Sequence, residues 1–475
     1  MILMALRFPT LGDRKSSSIT KPDEFLAQLT EDLTIGDKFE TSFTPQEAAA
    51  VISQWSNSDD NSIAFARVVC SYLYPNADAK PEPVITDHTG GINIPKSGYY
   101  LIVDTTYFNP GDYYHAYNSF LLKVNKANYH VQITPKVVKP SVKKEVFDNN
   151  DIGSTGDNNG WGSSADHAIN EEFQFKLTAT LPANPDRAYD YYDEYMVTFC
   201  DTLSAGITFD RWDTVVINNG GADIPIPAEN YYSDASNQDL TLSIEDVKTC
   251  APGLNLNNGA TITVTYTAHL NENAAVNGSA ENKNSVRLQY SNNPRPDGEY
   301  WGYTPNYTPE SEVYVYTYQL NNTKYHDTAE KGNELKDVGF RLYSDEACNN
   351  EIKLKKNNDG TYSRDFSTGA SGVEMISDNK GQFNVKGLDA GTYYLKETTP
   401  PKDYNACADK KIVISATHTE YNVILSGESN LNNKIINKKA GGITLPSTGG
   451  IGTTLFYVIG GGLMAVAAVL LVTKK

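Results

Sequence analysis

Two lysines in this 475-residue chain stand where an amine would do chemistry rather than carry charge. In Pro140-Ser141-Val142-Lys143-Lys144-Glu145-Val146 an extended strand puts Val142, Lys144 and Val146 on one face and turns Lys143 and Glu145 to water. Lys324 follows Tyr316-Thr317-Tyr318-Gln319-Leu320 at the start of a later run of strands. An ammonium among core residues is costly, so it either gives up its proton and becomes a nucleophile or finds an acid. The alternative is a strand-edge lysine that lays its stem on apolar surface and keeps its head in water. Spacing alone leaves both open.

Other chemistry has little support. The 7 His and 5 Cys form no H-E-x-x-H and no C-x-x-C, and there is no phosphate-binding loop, no G-x-S-x-G and no dinucleotide fingerprint. No cofactor and no metal are expected, and the chain does not read as a metabolic enzyme. The run Asp148-Asn149-Asn150-Asp151 to Asp157-Asn158-Asn159 lacks the terminal Glu of a calcium loop, so it reads as a solvated loop between strands. A balance of 40 basic against 58 acidic residues, net −18, repels phosphate backbones and argues against nucleic acid.

The elements that must position the lysines are strands. With 39% hydrophobic and 21% charged residues, the chain has enough apolar side chains for two to four cored domains. Residues 1–137 are mixed α/β. Thr44-Pro45-Gln46-Glu47 is a capping box ahead of a helix from Ala48 to Trp55, Ser62 to Leu73 repeats the helical period, and strands follow at 99–103, 120–124 and 129–133. From about residue 139 the pattern is all-β. Thr261 to Ala268 alternates strictly, Val286, Leu288 and Tyr290 keep the period, and residues 313–440 repeat it around Phe383, Val385 and Tyr393-Tyr394-Leu395. The polar, Pro-rich stretch 291–309 reads as a crossover between domains. The expected organisation is a domain at 1–137, β-sandwiches at 138–311 and 312–440, and a C-terminal segment at 441–475.

That last segment has three parts. Leu445-Pro446-Ser447-Thr448-Gly449 precedes an uncharged stretch, Ile451 to Val472, and the chain ends in Lys474-Lys475. As a helix the stretch is about 33 Å long, enough to cross a bilayer, and the lysines suit the cytoplasmic side. Pro446 keeps its segment out of helix and extended. At the other end, Met1 to Leu6 is too short for a secretory signal and no A-x-A-like site follows, so the first domain is expected to be incomplete.

The C-terminal arrangement resembles the cell-wall sorting signal of Gram-positive surface proteins. This implies that a sortase cuts between Thr448 and Gly449 and passes the Thr448 carbonyl, as a thioester, to an amine. From about residue 20 onward the chain is similar to backbone pilins of the isopeptide-forming fimbrial family. The second domain carries that likeness in Lys144, in Phe199-Cys200-Asp201-Thr202-Leu203 and in Asn282-Lys283-Asn284-Ser285-Val286; the third carries it in Lys324, in Tyr394-Leu395-Lys396-Glu397-Thr398-Thr399-Pro400 and in Ile435-Ile436-Asn437.

The resemblance implies tandem immunoglobulin-like, collagen-adhesin B-type sandwiches, each closed by a Lys–Asn amide between its first and last strands. Lys144 would join Asn284 with Asp201 as the acid, and Lys324 would join Asn437 with Glu397. Val131-Gln132-Ile133-Thr134-Pro135-Lys136 resembles the pilin motif, with Thr134 in the usual aromatic position. Lys136 is then the amine that attacks Thr448 of another copy, and Lys139 is its competitor. Cys348 with Cys407 and Cys200 with Cys250 are candidate disulfides, leaving Cys70 over.

The implied function is the shaft subunit of a sortase-assembled pilus used in surface adhesion. The alternative is a monomeric wall-anchored adhesin. The implied partners are pilin-specific and housekeeping sortases, further copies of the chain, peptidoglycan and a host surface ligand. The protein would be membrane-anchored as a precursor and cell-wall-bound when mature, and it would be a substrate rather than an enzyme.

Overall fold

β-branched and aromatic residues at alternate positions build most of the molecule. The computed structural model describes residues 3–8, 50–55, 61–66, 92–94, 98–104, 120–124, 129–131, 139–149, 160–185, 187–192, 194–277, 282–292, 296–297, 300–301, 305–418, 421–425 and 431–439. Lys136, Cys70, the sorting motif 445–449 and the apolar stretch 451–472 lie outside them. Among the described residues no helix is long and apolar enough to cross a membrane. Among the described residues of this region, helix is present at 50–52 and 61–66.

The first strands are β1 (Leu3–Phe8), β2 (Ile92–Ile94), β3 (Gly98–Asp104), β4 (Phe120–Val124) and β5 (Tyr129–Val131). β3 lies between β1 and β4 in an antiparallel sheet, and β2 pairs with β5. Strands were expected at three of these places.

The chain divides into two compact units, the first comprising residues 1–167, 171–316 and 418–423. Its main body runs through β6 (Ser141–Phe147), β7 (Trp161–Gly162), β8 (Ser164–Asp166), β9 (Glu172–Leu181), β10 (Val197–Leu203), β11 (Ile207–Asn218), β12 (Ile224–Pro225), β13 (Tyr232–Ser236) and β14 (Asp239–Ile244). β15 (Ala260–Leu270), β16 (Lys283–Ser291), β17 (Pro296–Asp297), β18 (Tyr300–Trp301), β19 (Pro305–Tyr307) and β20 (Ser311–Tyr316) complete it. One sheet has the order β12-β11-β15-β9-β6-β7; the other has the order β13-β14-β10-β16-β20-β8, with β19 added along β16. The core fills from alternate residues: Ile262, Val264, Tyr266 and Ala268 of β15 are buried, as are Phe173, Phe175, Leu177 and Ala179 of β9 beside it.

The second unit comprises residues 168–170, 317–417 and 424–475. Its strands are β21 (Tyr318–His326), β22 (Gly339–Tyr343), β23 (Glu351–Ile352), β24 (Leu354–Lys356), β25 (Tyr362–Arg364), β26 (Met375–Ile376), β27 (Val385–Leu388) and β28 (Gly391–Thr399). β29 (Lys410–Ile414), β30 (Ala416–His418), β31 (Val423–Leu425) and β32 (Asn432–Asn437) follow. One sheet is β24-β25-β27-β21-β32, the other β23-β22-β28-β29 with β26 on β22. Phe340 of β22 stacks on Phe383 at 4.1 Å in the core, with Val385, Leu395, Ile412 and Ile414 buried around them.

Two expectations need correction. The boundary does not fall at residue 311: β20 pairs with β16 and runs parallel to β8, so its ladder bonds hold it in the first unit. The stretch 291–309 is not simply a crossover, because β19 pairs with β16 inside the same sandwich.

Candidate functional site

Lys144 enters the core of the first sandwich as the alternation of β6 requires. It pairs with Leu177 of β9, which pairs in turn with Val264 of β15, while the next inward step is Val146–Phe175–Tyr266. Lys144 and Tyr266 therefore share the inner face of one sheet. On the facing sheet, Asp201 of β10 pairs with Val286 of β16 and Leu203 with Asn284, so Asp201 and Asn284 share that inner face, one diagonal apart. Four polar side chains, two from each sheet, meet in an apolar core.

All four are nearly sealed from solvent: Lys144, Asp201, Asn284 and Tyr266 are at most 2% exposed. Lys144 Nζ contacts Asp201 Oδ2 directly. It also donates to the Tyr266 hydroxyl at 3.1 Å. That hydroxyl donates to Asp201 Oδ2 at 3.0 Å and accepts from Asn284 Nδ2 at 2.7 Å. Nζ lies 5.1 Å from the centre of the Phe175 ring.

Burial pulls the Lys144 ammonium down to about 8 although Asp201 pulls the other way, and burial pushes Asp201 above the usual carboxylate range against the pull of Lys144. Both shifts favour the neutral pair, an amine beside a carboxylic acid. Two buried acceptors, Asp201 Oδ1 and Asn284 Oδ1, have no hydrogen-bond partner among the described residues. A proton on Asp201 would turn one of them into the donor that the other lacks.

The second unit repeats the cast with different geometry. β21 and β32 are parallel neighbours, with Lys324 opposite Ile435 and His326 opposite Asn437, so Lys324 and Asn437 lie in one sheet. Glu397 reaches them from β28 of the other sheet. Lys324 Nζ contacts Asn437 Oδ1 directly and stands 3.5 Å from Glu397 Oε2. Asn437 Nδ2 donates to Glu397 Oε1 at 2.7 Å, and the Cys407 backbone N–H donates to Oε2 at 2.7 Å. The side chains of Lys324 and Glu397 are fully buried, and burial lowers the Lys324 ammonium, partly offset by Cys407 and Glu397. Phe340 walls the site, with its ring centre 5.4 Å from Nζ.

The structure thus brings Lys144, Asp201 and Asn284 together, and Lys324, Glu397 and Asn437 together. Only the second set joins the first and last strands of its sandwich. In the first, β19 and β20 follow Asn284, and a bond there would run from sheet to sheet. Tyr266 escaped the reading of the sequence, and Cys407 was read only as a disulfide partner. Tyr266 sat in plain alternation on β15, indistinguishable from a core aromatic, and Cys407 touches Glu397 through its backbone, which no side-chain pattern reports.

Other expectations change as well. Glu145 does not face water: it is 6% exposed, held by Lys143 at 2.6 Å and Lys176 at 2.9 Å. Cys200, Cys250, Cys348 and Cys407 are free thiols, so neither disulfide is formed. The Cys250 thiol is buried and donates to Val247 O, while Cys348 bonds Asp409. Lys139 is exposed. Asp148, read as part of a solvated loop, is buried: its Oδ2 lies 3.1 Å from His418 Nε2, and Ser164 Oγ is 2.8 Å from His418 Nδ1. Asp148, Asp166 and His418 bring one ligand atom each within 4.8 Å of one another, a set of donors of the kind that a divalent cation takes.

Residues 437–475 match the LPXTG cell wall anchor motif. The chain is therefore a sortase substrate, anchored at the cell wall. Residues 321–429, within the second unit, match the SpaA family model, described as a prealbumin-like fold domain.

Among solved structures the chain is similar to the T6 backbone pilin of serotype M6 Streptococcus pyogenes, with 17% identity over 80% of this chain and 88% of that one, TM-score 0.48. It is also similar to the full-length major pilin SpaD from Corynebacterium diphtheriae, 17% identical over 77% and 88%, TM-score 0.44. The pilus 2b backbone protein of group B streptococcus is 21% identical over 58% and 95%, TM-score 0.41. No curated protein matches the chain.

Proposed function

We propose that the chain is the shaft subunit of a covalent, sortase-assembled pilus used in surface adhesion, and that each sandwich welds itself with one Lys–Asn amide. The observation that carries this reading is the pair of buried Lys–acid–Asn clusters, which no folding requirement explains. A buried lysine–acid pair adds little stability over an apolar core of the same volume, so two in one chain call for another use.

The chemistry follows from the geometry. Lys144, neutral in the core, attacks the Asn284 side-chain carbonyl carbon, while protonated Asp201 donates to Asn284 Oδ1 and polarises it. The C–N bond to Nδ2 breaks, ammonia leaves and the amide remains. Lys324, Glu397 and Asn437 undergo the same exchange. Folding supplies much of the rate by holding amine and amide together. Each reaction occurs once, so the protein is no enzyme.

Between subunits, a pilin-specific sortase holds Thr448 as a thioester and Lys136 of the next copy resolves it. This heterologous contact does not close and so grows a filament, until a housekeeping sortase passes the last subunit to peptidoglycan. Immunoblots of cell-wall extracts boiled in detergent test the reading. Wild-type chains should give a ladder of high-mass bands and Lys136→Ala only monomer. A wild type without a ladder would support a monomeric anchored adhesin instead.

A further inference from the structure

The two clusters differ by one methylene in the acid, and the difference leaves a gap. In the Glu397 cluster one carboxyl group spans both reactants, with Oε2 toward Lys324 and Oε1 toward Asn437 Nδ2. Asp201 is shorter. It reaches Lys144 through Oδ2, and the amide nitrogen of Asn284 bonds the Tyr266 hydroxyl instead.

We propose that Tyr266 is a catalytic residue of the Lys144–Asn284 reaction, relaying a proton to the departing nitrogen and so supplying the reach that Asp201 lacks. This rests on the amide-forming reading above. The hydroxyl touches the nucleophile, the acid and the leaving group at 3.1, 3.0 and 2.7 Å. It is also wholly buried, so water does not take its place. Burial and the neighbouring Asp201 hold the phenol proton well above its ordinary range. The hydroxyl therefore acts as a neutral relay rather than as a free phenolate.

The step balances. As the bond from Lys144 Nζ to the Asn284 carbonyl carbon forms, Nζ gives one proton to Asp201 Oδ2. The Tyr266 hydroxyl gives its proton to Nδ2 and is refilled from Asp201. Ammonia leaves with the electron pair of the broken C–N bond, and both Asp201 and Tyr266 end as they began. No oxidant or co-reactant is needed.

Tyr266→Phe removes the oxygen and keeps the ring, which packs on Phe175 and Trp212. Intact mass followed during cell-free synthesis of the full chain reads the reaction as loss of one ammonia per bond. The expectation is that the first-sandwich bond forms at least about tenfold more slowly in the variant, the size of a lost acid–base relay. The Lys324–Asn437 bond of the same molecule should form at the wild-type rate. Equal rates for the first-sandwich bond in variant and wild type overturn the role of Tyr266 and leave the amide reading intact; a wild type that never loses ammonia overturns both. Should the variant misfold, the wild-type rate in mixtures of light and heavy water decides. Two relayed protons give a curved dependence on deuterium fraction, and a straight line overturns the relay.

Discussion

Lys144 and Asn284 belong to facing sheets yet bond the same atom, the Tyr266 hydroxyl oxygen, at 3.1 and 2.7 Å. Lys324 and Asn437 are instead on parallel neighbours of one sheet. An amide at the first pair staples two layers of a sandwich. One at the second ties two parallel strands of a single sheet.

The layer-to-layer tie predicts a loss of kinetic stability. Asn284→Ala cannot form the amide, and by the loop-closure argument for cross-links spanning on the order of a hundred residues it should lose about 5 kcal/mol against denaturant. Unfolding should quicken more than folding slows, because such a tie opposes the opening of a formed sandwich. Denaturant-jump kinetics and trypsin half-life at neutral pH are the measurements. An unchanged unfolding rate would mean that the tie is not made.

The two clusters share no residue, so they should act independently. Glu397→Ala should restore the mass of one ammonia and Asp201→Ala that of one other, with both restored in the double variant. Mass spectrometry of the intact chain, followed by peptide mapping of the 324–437 and 144–284 cross-links, reads this directly. A single substitution that removes both bonds would contradict it.

Removing the amide should expose the cost of burying Lys144. Its folded ammonium is held near 8 against an ordinary 10.5. Between those values the unfolded chain keeps a proton that the folded chain has lost, so stability rises with pH across that window. In the Asn284→Ala background, adding Lys144→Met should stabilise the chain at pH 8. That advantage should shrink by up to about 1.4 kcal/mol per pH unit toward pH 9.5. Urea titrations of both variants at three pH values test the sign; an advantage that grows with pH would refute it.

Gly381 seats Lys324. Its backbone φ is +72°, its carbonyl accepts from the Lys324 N–H at 2.8 Å, and a Cβ there would lie 2.5 Å from the Lys324 carbonyl oxygen. Gly381→Ala should cost about 1–3 kcal/mol in backbone strain and slow formation of the 324–437 bond, while the 144–284 bond forms as before. Thermal unfolding and time-resolved intact mass separate the two effects.

Much of this was legible in order of residues. Alternation on either side of Lys144 and through Thr261–Ala268 gave strands with a defined inner face, because side-chain direction in a strand depends only on parity. The sorting motif was legible for a related reason: its information is held in five consecutive residues, 445–449. What parity cannot say is which strands become neighbours. Tyr266 meets Lys144 across 122 residues only because β9 lies between β15 and β6, and β20 joins the first sandwich because β16 and β8 leave it a slot. Glu145 left the solvent because Lys143 and Lys176 gather over it. Such encounters depend on long-range pairing, whose energy is spread over whole sheets rather than held in any short run of residues. The tertiary structure therefore decided the fourth member of the first cluster and placed its lysine and asparagine on facing sheets.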